Sequence, residues 1–312
     1  MQIIDFTHDH ITEAQNLALQ NYKEERSFVP ALPEIDTIPD LSEFADNHMG
    51  VAAFEGNKMI GYLCSISPFE RPFQIPDILG AYSPLHTHGA VIESRAKIYA
   101  MMYQSAAEKW VKAGATNHAI TLYAHDIAAQ TQFFNYGFGM RGVDAIHAIE
   151  NHSIAHTEMD FTELSPMEFD DIWPLSEKLI DHFRQSPMFI RFKHSTKDEF
   201  WQINKQQNPR YFAVKDKGEI IAYIKISDNS ETFISRNSSM KNICGAFCLP
   251  EYRGKGLYKN LLHYVENQLH QENYTLFGVD FESFNPTAYG FWLKHFDAYT
   301  CWVARRIDGV TI

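Results

Sequence analysis

The sequence predicts an α/β (α+β) protein of two tandem domains, and three observations carry that reading. The chain has 312 residues, long for one ordinary domain and natural for two of about 150. Apolar runs of strand length alternate with stretches of helical spacing along it. The second half also replays the first. Asp160-Phe161-Thr162 echoes Asp5-Phe6-Thr7 at an offset of 155, Ala213–Ile224 echoes Ala52–Leu63 at 161, and Ala288 matches Ala129 at 159. A period this long fits a duplicated domain rather than a solenoid turn, with domains expected at 1–155 and 156–312 and a boundary near Glu150–Ala155.

In chain order, Ile3–Thr7 reads as a strand and Ile11–Phe28 as a helix with Thr7 as its cap. Three prolines make Val29–Pro39 a loop, and Leu41–His48 is a short helix. Val51–Phe54 and Met59–Ile66 form a hairpin turning at Glu55-Gly56-Asn57-Lys58. Four prolines leave Pro68–Pro84 irregular, and Arg95–Ala113 is a helix closed by Gly114. His118–Tyr123 is a strand, Ala128–Asn135 a helix and Val143–Ile149 a strand, after which the order repeats.

At 45% apolar and 14% aromatic residues the chain can bury two cores. Its net charge of −12 is concentrated before His156, where 9 basic residues face 18 acidic ones. An acidic chain argues against a mainly electrostatic grip on nucleic acid and suits an amine-bearing substrate, although solubility alone also accounts for it. The four cysteines form no C-x-x-C pair, and Cys244 and Cys248 read as small residues on one strand face. The start shows no basic segment followed by an apolar run, and no stretch approaches about 18 apolar residues. A soluble cytoplasmic protein with no membrane partner is therefore expected.

Pro250-Glu251-Tyr252-Arg253-Gly254-Lys255-Gly256-Leu257-Tyr258-Lys259 joins an apolar strand, Ile243–Leu249, to a helix with Leu257, Leu261, Val265 and Leu269 on one face. A helix start attracts anions through its free N–H groups and its dipole; glycines let a ligand approach, and Arg253 and Lys255 add charge. The spacing is neither G-x-G-x-x-G nor G-x-x-x-x-G-K-[ST]. It resembles the acyl-CoA-binding turn of the GCN5-related N-acetyltransferase (GNAT) superfamily, [RQ]-x-x-G-x-[GA], with Tyr258 departing at the last position. The family's second signature, N-x-x-A-x-x-x-Y-x-x-x-G-F, is met by Asn285 and Ala288, with Trp292 at the tyrosine position and Phe296 one residue early. The first copy matches it with Asp126, Ala129, Gly137 and Phe138, and Phe133 stands for the tyrosine.

This resemblance implies, in each copy, a mixed, mostly antiparallel twisted sheet flanked by helices. It implies acetyl-CoA as co-substrate, its phosphates held by Arg253, Gly254, Lys255, Gly256, Leu257 and Tyr258, with Asn285 at the cofactor-side helix start. Phe247 and Cys248 would pair through their main chains with the pantetheine arm. The first copy has no counterpart of the turn between Ala81 and Arg95, so it is a degenerate domain, and acyl-CoA belongs to the second alone.

Transfer to an amine needs a route for its proton. The family's tyrosine acid is missing and an indole cannot replace it, but proximity still contributes much of the rate. Glu282, three residues before Asn285, is the candidate catalytic base, although alternation with Phe281 equally fits a solvent-facing carboxylate; Asp280 is a weaker candidate. His86 and His88 form an H-x-H without a third ligand that the sequence can place, so a surface loop is favoured and no metal is expected. His263 reads as a solvent-side residue of its helix. Tyr258 fits either a phosphate contact or packing on a strand. Phe281, Phe284, Tyr289, Phe291, Trp292 and Phe296 fit an acceptor pocket or the packing of the last helix.

The leading expectation is an N-acetyltransferase acting on an amine of a small molecule or peptide, with no nucleic-acid partner and a homodimer left open. A non-catalytic acyl-CoA sensor is the alternative, motivated by Trp292 and Phe133. An aminoacyl-tRNA-dependent ligase is the third, and the acidic balance speaks against it.

Overall fold

A computed structural model describes residues 1–154, 157–190, 196–228 and 232–307. The strands and helices run in chain order as β1 (Gln2–Asp5), α1 (Ile11–Phe28), α2 (Ser42–Asp46), β2 (Val51–Glu55), β3 (Lys58–Leu63), β4 (Phe69–Glu70), β5 (Leu79–Ser83), β6 (His88–Ala90), α3 (Arg95–Lys112), β7 (Ala115–Tyr123), α4 (Ile127–Asn135) and β8 (Gly139–Ala148). There follow β9 (Asp160–Glu163), α5 (Trp173–Arg184), α6 (Lys197–Lys205), β10 (Arg210–Asp216), β11 (Glu219–Ser227), β12 (Met240–Cys248), α7 (Leu257–Gln271), β13 (Leu276–Glu282), α8 (Pro286–Trp292) and β14 (Asp297–Arg306). No helix of the described residues is long and apolar enough to cross a membrane. The described cysteines are free.

The helices follow from their apolar spacing. α3 buries Ile98, Tyr99, Met102, Tyr103, Ala106 and Trp110, steps of three and four that place them on one face. α7 buries Leu257, Leu261, Leu262, Val265 and Leu269 in the same way, and Glu266 with them. Two caps repeat between the copies. Asp126 accepts from the Ala129 N–H (3.0 Å) before α4, and Asn285 accepts from the Ala288 N–H (3.4 Å) before α8.

Contacts divide the chain into two compact units at 144/145: Met1–Asp144 with the stretch from Ala298 onward, and Ala145–Asp297. This differs from the sequence cut at 155/156, whose two residues lie outside the described ones. The last strand belongs to the first unit because β14 pairs antiparallel with β7 from Thr300↔Tyr123 to Arg306↔Asn117. A strand's partner is decided by which edge it can extend, and local sequence does not encode that.

In the first unit, β1, β2, β3 and β6 form one antiparallel sheet, while β4, β5, β7 and β14 lie side by side in order. Its core packs α3 and α4 against these strands through Tyr99, Met102, Trp110, Ile120, Phe133 and Phe138. The proline-rich stretch expected to be irregular contains β4 and β5, because its prolines flank the ladder and β5 itself, LGAYS, has none. In the second unit, β9, β10, β11, β12 and β13 run in order, antiparallel except for β12 and β13. Leu164, Ile172, Trp201, Tyr211 and Phe247 are among the residues of its core. Both units are thus mixed, mostly antiparallel and flanked by helices.

Candidate active site

β12 reaches the site by parting from a neighbour. Its parallel pairing with β13 runs from Met240↔Leu276 to Ile243↔Val279 and stops, while its antiparallel pairing with β11 continues to Cys248↔Ala222. The β11 ladder skips Cys244, since Ile226 faces Ile243 and Lys225 faces Gly245; the extra residue bends β12 away from β13. The β13-facing edge of β12 from Cys244 to Cys248 is left as a backbone that an extended ligand can pair with.

The turn after β12 is shaped for an anion. Gly254 and Gly256 sit at φ +73° and +78°, where a side chain is strained, and a Cβ on either would meet nothing within 4 Å. No side chain caps α7. The turn's own bonds run from the Tyr252 amide to Leu249 and from the Arg253 amide to Pro250, and the first bond of the helix runs from Asn260 to Gly256. Among the described residues, the amides of 254–259 donate to none. These are the donors that a helix start offers to phosphate.

A cavity of about 480 Å³ opens beside this turn. Phe247, Cys248, Arg253, Gly254, Gly256, Tyr258 and Asn285 line it, as do Phe291 and Trp292. The sequence did not single out His182, Lys259, Lys294 or His295, which line it too. Among the described residues the lining holds three permanent cations, Arg253, Lys259 and Lys294, and no Asp or Glu. In a chain of net charge −12 that local inversion of sign selects for anions.

Other expected residues stand elsewhere. Leu257 packs into the core and Lys255 is exposed, its Nζ donating to the Glu251 carbonyl (2.8 Å); neither lines the cavity. Arg253 lines it while its Nε donates to the Cys248 carbonyl (2.8 Å), tying the turn to the end of β12. Tyr258 packs on a strand: its hydroxyl donates to the Tyr223 carbonyl (3.1 Å), and burial holds its pKa well above the ordinary value. Glu282 is half-buried at the end of β13 and Asp280 exposed; neither lines the cavity. Phe281 and Phe296 are core residues, Phe284 is half-buried and Tyr289 is exposed.

The H-x-H pair is no surface loop. His88 lies buried on β6 with Nδ1 against the Tyr99 hydroxyl (2.9 Å) and Nε2 against the Thr121 carbonyl (2.6 Å), so both nitrogens are occupied. Burial pushes its pKa down to about 4. His86 packs edge-on against Phe44. His263 is half-buried and stacks on His152 at 4.0 Å rather than facing solvent.

Two lining groups bear on proton transfer. His182 on α5 places Nε2 3.3 Å from the Thr287 hydroxyl and 3.4 Å from Asn285 Oδ1, and Thr287 donates to that same oxygen (2.8 Å). Burial pushes the Cys248 thiol up to about 11, so it is a neutral thiol near pH 7 and a poor nucleophile.

Residues 177–297 match the sequence profile of the acetyltransferase (GNAT) family. No curated protein matches the chain. Among solved structures, a GCN5-related N-acetyltransferase from Sphaerobacter thermophilus superposes with a TM-score of 0.60 at 10% identity, over 99% of this chain and 98% of that one. A GNAT-family acetyltransferase from Colwellia psychrerythraea has a TM-score of 0.47 at 12% identity, covering 99% and 100% of the two chains. A tandem GNAT protein from the clavulanic acid biosynthesis pathway has 0.47 at 12%, covering 98% of each. At 10% identity the first likeness concerns the fold over the whole length. With the profile match, the second half of the chain is similar to the acetyltransferase domain of the GNAT family.

Proposed function

We propose that the protein transfers an acetyl group from acetyl-CoA to an amine of a small molecule or peptide. One observation carries the reading: a cavity free of carboxylates among its described lining residues, with three cations, beside a helix start whose amides are uncapped. Acetyl-CoA carries a pyrophosphate for those amides and cations, and an extended arm for the open edge of β12 at Phe247 and Cys248. Transfer is direct, from thioester to amine within a ternary complex, because the neutral Cys248 thiol is poorly suited to an acyl-enzyme route. His182 takes up the amine proton, since it lines the cavity with an imidazole that can accept one and is held by Thr287 and Asn285.

Thiol release from acetyl-CoA against polyamines, aminoglycosides, amino acids and peptide N-termini tests this directly. His182→Gln is expected to lower the transfer rate about 100-fold with CoA affinity unchanged. Equal losses in rate and affinity would reassign His182 to cofactor binding. A second reading, an acyl-CoA sensor without chemistry, is favoured by Trp292, which is buried in the cavity wall at the family's tyrosine position. Tight CoA binding in calorimetry with no thiol release across the amine panel would establish that reading instead.

A further inference from the structure

We propose that the second unit binds one zinc ion through His147, His152 and Glu266, with water at the fourth position, at a site apart from the acyl-CoA cavity. His147 lies on β8, His152 follows that strand, and Glu266 projects from the core-facing side of α7. Their ligand atoms all lie within 4.8 Å of one another. His147 Nε2 is 3.1 Å from Glu266 Oε1, and His152 Nε2 is 3.1 Å from Oε2. These separations are near the edge, about 3.3 Å, of a tetrahedron with metal–ligand bonds of 2.0–2.1 Å.

The Glu266 side chain is 2% exposed, and its Oε1 and the His152 Nε2 are buried without a hydrogen-bond partner among the described residues. A carboxylate this deep on an apolar face is costly unless a cation meets it. A divalent ion at the shared focus satisfies all three groups together. Two imidazole nitrogens and one carboxylate oxygen form a zinc-type set rather than the all-oxygen set that suits magnesium or calcium.

Outer contacts hold the ligands in place. The His152 amide donates to Asn267 Oδ1 (2.8 Å) and Asn267 Nδ2 donates back to the His152 carbonyl (2.9 Å), fastening that segment to α7. His263 stacks on the His152 ring at 4.0 Å and 10°, which fixes its plane. The ion would pin the segment after β8 onto the helix whose first turn lines the anion cavity.

Full-length protein stripped with EDTA and titrated with Zn²⁺ in a calorimeter provides the test, with circular dichroism as the fold control. The expected result is one Zn²⁺ per chain, a rise in Tm on loading, and binding weakened at least about tenfold in both His147→Ala and His152→Ala. The partly exposed histidines are used because replacing buried Glu266 can unfold the domain. Absence of saturable binding overturns the site; so does unchanged affinity in either folded variant, which would leave the zinc on other histidines of the chain.

Discussion

α3 and α7 open at equivalent places in the two copies, Arg95 and Leu257 being 162 residues apart, and the surroundings of their starts differ. Both N-caps are left-handed, Ser94 at φ 56° and Gly256 at φ 78°. At α7 the position is glycine and the space beyond it is open. At α3 the next residue, Arg95, is buried, with Nη1 and Nη2 on the Glu24 carboxylate (3.0 and 2.7 Å) and Nη1 3.4 Å from Asp126. The two copies share a left-handed turn without a side-chain cap, but at α3 the first cation is held by the protein's own acids. The difference between them lies in the side chains around each helix start, beyond the fold itself.

Replacing Arg95 probes the first copy. Arg95→Ala strands two carboxylates, one of them buried, and is expected to cost about 3–5 kcal/mol in denaturant melts, with one CoA still bound per chain. A second bound CoA would show that Arg95 alone closes that copy. Acid probes the same unit through two buried histidines, with a combined effect at least as large. Burial holds His88 and His118 down to about 4, below the usual 6.5, so only the unfolded chain takes up protons in between. Stability is complete above pH 6.5 and falls as pH drops toward 4, by about 3 kcal/mol for each histidine. Urea melts that agree at pH 7.5 and 4.5 would mean that these rings charge while folded.

On the open copy, Gly256→Glu puts a carboxylate beside the free amides and is expected to weaken CoA about 100-fold in calorimetry; unchanged affinity would move the site elsewhere. The smallest expected effect is for Lys259→Ala, about fivefold in CoA affinity and shrinking as salt rises, because one exposed cation among three is screened. A salt-independent loss would point to packing instead of charge.

Several of these features could be read along the chain because they are local. The span of α1 and the glycine turn each depend on neighbours a few residues apart. The parting of β12 from β13 could not be read, since it arises where one ladder skips Cys244. His182, Lys259 and Lys294 carried no motif; proximity in the folded unit brings them to Asn285 and the turn. Glu282 stands near a strand end, and the cavity forms without it. The set of His147, His152 and Glu266 joins positions more than a hundred residues apart, and only a buried acid inside an apolar helix stripe hinted at it.

The pairing of β14 with β7 bears on how the protein is made. A ribosome releases the first 144 residues long before the strand that completes their sheet, so that half must wait with an open edge while the other is synthesised. Stop codons late in the message should therefore damage the half made first, and chaperone dependence should track the delay.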